Sequence, residues 1–199
     1  MLPLRDDLID FTLMLFKYQD SVDLDQLHGF WERMISFTFR PEQVETWTEV
    51  DFDNLRFFNY ELMLYFIAIL LKLGKYSEAA YFVNSPYFYR GTTGEFKQNG
   101  IFMFNRYAQS LDEFRNNRLK LGRVNITADL IKARATRTDI RFENIREADV
   151  VLHYPIQSGR DFIAEKTFDQ LLTNDLKFRS TKPTKSTFQR NPPCAPEMN

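Results

Sequence analysis

The chain is poor in the residues that most catalytic and extracellular scaffolds rely on: one cysteine, two histidines and seven glycines in 199 residues. The single Cys194, set among prolines near the C-terminus, can close no internal disulfide and gives no sign of an oxidising compartment. With only His28 and His153 beside it, no ordinary zinc ligand set can be assembled, and no metal or cofactor is expected. Glycine stands at about half its ordinary usage of roughly 7%. Folds that depend on many tight turns or on close backbone approach to phosphate are therefore disfavoured. There is no Gly-x-x-x-x-Gly-Lys-Ser/Thr phosphate loop, Gly-x-Ser-x-Gly elbow, His-Glu-x-x-His, paired-cysteine motif or dinucleotide fingerprint. The N-terminal Met1 to Asp7 lacks the basic region and small-residue cleavage site of a secretory signal, so a cytoplasmic location is expected.

What the chain does have is aromatic and aliphatic bulk, with 20 Phe, 9 Tyr and 44% hydrophobic residues. The most apolar run, Asn59 to Leu73, carries no Gly or Pro and is rich in Leu, Met and Ala, which predicts a buried helix ended by Gly74. A membrane span needs about 20 mostly apolar residues, and Glu61 and Lys72 fall within or at the end of this shorter run, so no membrane contact is expected. A second helix, Tyr76 to about Asn84, folds back on the first. The expected fold class is all-α, an irregular bundle of about six to eight helices around this hairpin. The domain spans residues 1–173, and 174–199 form a basic Pro/Ser/Thr/Lys-rich tail too poor in apolar groups to order.

Other helices follow from spacing. Pro3 suits a first turn, and Leu8, Ile9, Phe11, Leu15 and Phe16 give a broad apolar face up to Tyr18. Ser21 or Asp23 caps a second helix with Leu24, Leu27, Trp31, Met34 and Ile35 on one stripe and His28 packing at its edge. Pro41 opens a short helix to Trp47, and Glu42, Glu45, Glu49, Asp51 and Asp53 read as a solvated acidic face. Tyr87 to Gly100 reads as a glycine-containing loop and Ile101 to Leu121 as one long helix, with Phe104, Tyr107, Leu111 and Phe114 on a stripe. Helices over Asn125 to Thr136, Phe142 to Tyr154 and Asp161 to Leu172 complete the series.

A net charge of −1 conceals a segregated pattern. Residues 113–141 hold eight basic and three acidic side chains, whereas 1–112 hold ten and sixteen. Arg115, Arg118, Lys120, Arg123, Lys132 and Arg134 are the candidate contacts of this band for an anionic partner, nucleic acid included.

Two short stretches carry family resemblances. The run Lys72-Leu73-Gly74-Lys75-Tyr76-Ser77-Glu78-Ala79-Ala80-Tyr81-Phe82 resembles the inter-helix turn of a tetratricopeptide repeat, though no second copy occurs at a period near about 34 residues. Arg146, Asp149 and His153 fall at i, i+3 and i+7 of one helix, with six residues between Arg146 and His153. That spacing resembles the Arg-x(4 to 6)-His signature of the HEPN family of all-helical nucleases. The resemblance implies metal-independent RNA cleavage, with Arg146 on the scissile phosphate and His153 assisting proton transfer. With no strong catalytic motif and abundant aromatics, the expected function is a non-catalytic helical interaction or regulatory domain with a protein partner, alone or as a module of a larger intracellular protein. The nuclease or RNA-binding reading is its alternative.

Overall fold

A computed structural model describes residues 2–19, 21–39, 46, 48–91, 94–106 and 108–153. Among them are seven α-helices and one two-stranded hairpin. The helices expected over Pro41 to Trp47 and Asp161 to Leu172, and the tail 174–199, lie outside the described residues.

The organising element is the long helix α3 (Asp53–Lys72), in which seventeen of twenty residues are buried. A helix that is apolar on all sides has no stable place except inside other elements. Here α1 (Leu2–Tyr18), α4 (Tyr76–Asn84) and α7 (Phe142–His153) pack around it. Counted from Val50 to Lys72, this region is long and apolar enough to cross a membrane by length and composition, longer than the run singled out in the sequence, and 89% of its window is buried inside the protein.

α3 ends as its glycine predicts. Gly74 takes φ +70°, its N–H donates to the Leu71 carbonyl, and the Lys75 N–H donates to the Leu70 carbonyl, the paired bonds of a Schellman cap. α4 then returns with Ala79, Phe82 and Val83 buried. Helix α2 (Leu24–Ser36) is capped by the Asp23 carboxylate, which accepts from the Gln26 N–H at 2.9 Å. It contributes Trp31 and Ile35 to an aromatic centre in which Trp31, Phe66, Phe82 and Phe104 meet edge to face.

His28 packs as expected, stacked on Tyr87 at 4.4 Å, and its Nε2 is buried with no hydrogen-bond partner among the described residues. Burial pushes the imidazole below its ordinary value of 6.5, and the Glu32 and Asp25 carboxylates offset this only in part. The unfolded chain therefore takes up this proton at a higher pH than the folded one. The contribution is complete above the ordinary histidine range and is lost as pH falls through the lower folded value. Urea midpoints should fall between about pH 7 and pH 5, and His28→Gln should flatten that slope.

Four expectations are corrected. Residues Tyr87–Arg90 and Phe96–Asn99 are not loop but strands β1 and β2, paired antiparallel with Tyr87 opposite Asn99 and Arg90 opposite Phe96. The alternation that makes β1 a strand is Tyr87 and Tyr89 inward, Phe88 and Arg90 outward. Gly94, at φ +77°, supplies the left-handed residue of the connection.

Ile101 to Leu121 is not one helix. It divides into a 3-10 turn (Ile101–Met103), a π-helical segment (Ser110–Arg115) and the short α5 (Asn116–Leu119). The start of the π-helical segment is capped from outside, because the Asp53 carboxylate accepts the Ser110 N–H at 2.7 Å, a first-turn amide with no partner in its own helix. Asp53 itself is thereby the third correction, a buried carboxylate also paired with Arg56 at 3.1 Å and not part of a solvated face. Fourth, Phe11 does not belong to the buried face of α1, whose core positions are Arg5, Ile9, Thr12 and Phe16.

Candidate functional site

The helix α6 (Ile126–Arg134), α7, the middle of α3 and the residues Asn105, Arg106 and Asp112 line a cleft of about 580 Å³. Its size is that of small-molecule sites, which run roughly 300–1,000 Å³. α7 reaches it because Ile145, Ala148, Val151 and Leu152 are buried, which turns Arg146, Asp149 and His153 together onto the cleft wall. The i, i+3, i+7 alignment read from the sequence is thus present in space. Three neighbours it did not identify, Tyr60, Asn105 and Arg106, line the same cleft.

The hydrogen bonds define the state of each group. The Tyr60 hydroxyl donates to the Asp149 carboxylate at 2.5 Å. Burial first, and then the charge of Asp149, push the Tyr60 phenol far above its ordinary value, so it is a permanent donor there. His153 Nδ1 lies 2.8 Å from the Asp149 carbonyl oxygen, which only accepts, so this nitrogen carries the proton. Nε2 lies 2.7 Å from the Asn105 side-chain amide. The ring is held on both edges, by Asp149 at Nδ1 and by Asn105 at Nε2, the nitrogen that would exchange a proton.

Across the cleft, the two Asp112 oxygens accept the Thr127 N–H and hydroxyl, each at 2.9 Å, and Asn125 caps Ala128 at 2.7 Å. Both cleft carboxylates are therefore supplied with donors from the protein, and the two arginines of the lining, Arg106 and Arg146, balance them in formal charge. The Arg106 guanidinium stands 4.5 Å from the Phe39 ring centre, and Arg146 is exposed. No group of three or more His, Cys, Asp or Glu is placed to hold a metal among the described residues.

The basic band is divided by the fold. Arg115, Arg123 and Lys132 line a shallow groove of about 590 Å³ along α6 with Leu121, Ile126 and Leu130. Within it, Arg123 is bound in a two-point fork to Asp129 at 2.7 and 2.8 Å, and the Lys132 ammonium lies over the Phe142 ring. Arg118 and Lys120 are exposed on α5 and just past its end. Arg134 is turned inward, where its Nε and Nη2 donate to Glu61 at 2.8 and 2.6 Å. That partner lies 73 residues away, and nothing local to Arg134 points to it.

A second surface was not singled out in the sequence. On α1, opposite the buried positions, Leu4, Phe11, Met14 and Tyr18 are 62%, 56%, 63% and 68% exposed. They lie within one stripe of the helix. The recurrence Leu4, Phe11, Tyr18 at seven-residue steps was its only sequence signal.

No family model, curated protein or solved structure matches this chain.

Proposed function

We propose that this chain is a non-catalytic helical interaction domain that works in the cytoplasm, alone or as a module of a larger intracellular protein, and binds a protein partner through the outer face of α1. The observation that carries this reading is the exposed stripe Leu4, Phe11, Met14 and Tyr18 on a helix whose other side is already anchored in the core. Contiguous exposed apolar side chains are costly in water, and helix-in-groove recognition uses anchors at this spacing. Outward-facing Phe88 and Phe96 on the hairpin add aromatic contact area elsewhere. In a pull-down from host lysate with the full chain, Phe11→Glu with Met14→Glu should abolish retention of the partner and leave the far-UV circular dichroism unchanged. Unaltered retention by the double variant would remove α1 as the binding face, and retention of RNA alone would count against the reading as a whole.

A second reading, the HEPN-like ribonuclease, is favoured by one observation: Arg146 and His153 share a cleft wall beside Arg106. On this reading Arg146 and Arg106 hold the phosphate, and His153 exchanges a proton after Asn105 leaves its Nε2. Single-stranded RNA should then be cleaved in EDTA, and His153→Ala should lower the rate at least about 100-fold with the fold intact. Arg115→Glu with Arg118→Glu should weaken RNA binding more at low salt than at high salt. Equal cleavage by wild type and His153→Ala would end this reading.

A further inference from the structure

The exposed side of α1 has a more specific pattern than apolarity. Leu4, Asp7, Phe11, Met14 and Tyr18 are separated by three, four, three and four residues, and all five are exposed. That alternation is the seam of a two-helix coiled coil, in which each knob enters a hole of a facing helix. Leu8 and Leu15 run along one edge of the seam, half-buried, and Asp10 and Lys17 run along the other, both exposed.

From this geometry we infer that the occupant of the α1 face is the α1 of a second copy of the same chain, antiparallel to the first about a two-fold axis between Phe11 and Met14. This inference rests on the reading of α1 as an interaction face and names its partner. A two-fold contact must be self-complementary, each residue meeting a partner that it also serves in return. In the antiparallel arrangement Phe11 of one copy faces Met14 of the other, and Asp7 faces Tyr18, whose hydroxyl donates to the carboxylate. The flanks also match, since Lys17 of one helix comes beside Asp10 of the other. Asp10 already pairs with Arg137 of its own chain, so an acidic side chain is held at that edge before the second copy arrives.

A parallel, in-register pairing fails the same test, because Asp7 would meet Asp7 inside the seam and like charges repel there. A membrane surface is a poorer occupant. Helices that lie on bilayers carry Lys and Arg on the polar face, whereas α1 carries Asp6, Asp7 and Asp10, with Arg5 buried and Lys17 as its one exposed cation. A seam of one helix and a few large side chains covers less than the roughly 1,600 Å² of a standard interface, and interfaces of that size class are transient.

Sedimentation velocity of the full chain over about 1 to 300 µM should show a monomer–dimer equilibrium, and Phe11→Arg or Met14→Arg should weaken it at least about tenfold. Both side chains are exposed, so the melting temperature extrapolated to low concentration should be unchanged. Orientation is read by disulfide trapping on a Cys194→Ser background. Asp7→Cys mixed with Tyr18→Cys should give the mixed dimer, and Asp7→Cys alone should cross-link little. Efficient self-cross-linking of Asp7→Cys would overturn the antiparallel pairing.

A chain that stays monomeric throughout would overturn the second-copy inference, and the lysate experiment then separates it from the broader reading. If Phe11→Arg still abolishes capture of a different protein, the interaction face stands and only its occupant is wrong. If capture is indifferent to Phe11→Arg, both are wrong. A monomer in which Phe11→Cys resists alkylation would mean that the chain's own residues beyond His153 take the face, which also overturns the inference.

Discussion

Replacing Glu61 with leucine should destabilise the fold by about 3–5 kcal/mol, the cost of removing one partner from a buried charge pair. Glu61 is fully buried in the middle of α3, and Arg5, only 2% exposed, reaches it from α1 at 3.1 Å. Arg134 closes on the same carboxylate from α6 in a two-point fork, and its backbone carbonyl accepts a second hydrogen bond from Arg5 at 3.1 Å. Three elements therefore meet at one carboxylate. Without it, Arg5 keeps Asp6 at 2.7 Å, the Arg134 carbonyl and the Tyr65 ring, and its charge has lost its buried counter-ion. Arg134 is partly exposed and can turn outward, so Arg134→Leu should cost less, about 1–2 kcal/mol.

Replacing the whole group tests where that energy lies. Arg5→Met, Glu61→Leu and Arg134→Leu together should recover most of the loss, because apolar side chains of similar volume avoid the cost of desolvating charge. Urea unfolding of the single and triple variants measures both. A triple variant no more stable than Glu61→Leu would show that the charged group stabilises the fold outright and does not merely avoid a stranded cation.

Phe66→Ala should cost a similar amount, about 3–5 kcal/mol, by a different mechanism. The Phe66 ring meets Phe16 of α1, Trp31 of α2 and Phe82 of α4, with centroids at 5.9, 5.1 and 4.7 Å and all three close to edge-on. Removing the ring loses its own transfer energy and leaves a cavity bordered by three helices anchored on different sides, which cannot all collapse into it. At roughly 2–4 °C per kcal/mol for a domain of this size, the melting temperature should fall by about 10 °C. Phe66→Leu, which fills most of the space, should cost less than half as much. Equal losses for the two variants would mean that the edge-to-face geometry, not the volume, carries the stabilisation.

Much of the fold was legible because its signals are local. The composition of Asn59 to Leu73 required a buried helix whatever surrounded it, Gly74 required an end, and Asp23 offered a cap three residues before the amide it accepts. The spacing of Arg146, Asp149 and His153 fixed a shared helix face, since 3.6 residues per turn is a property of the backbone and not of the neighbours. The β-hairpin was missed because its inward and outward positions are all aromatic or long polar side chains, so Tyr87 and Tyr89 cannot be told from Phe88 without knowing where the core lies.

What tertiary structure alone decided was the partner of each charge and the choice between competing apolar faces. α1 offers two apolar stripes, and the one that holds Ile9 and Phe16 won because it also carries Arg5 to Glu61, 56 residues away, leaving Leu4, Phe11, Met14 and Tyr18 outside. In the same way Arg134 was one more cation of a basic band until the fold brought α6 against α3, and Asp53 was one more surface acid until it took the Ser110 amide at the start of the helical segment that follows. Helical periodicity is set within a few residues, so a sequence displays it. Coulomb attraction and desolvation depend on what is brought close across the chain, and only the assembled structure specifies that.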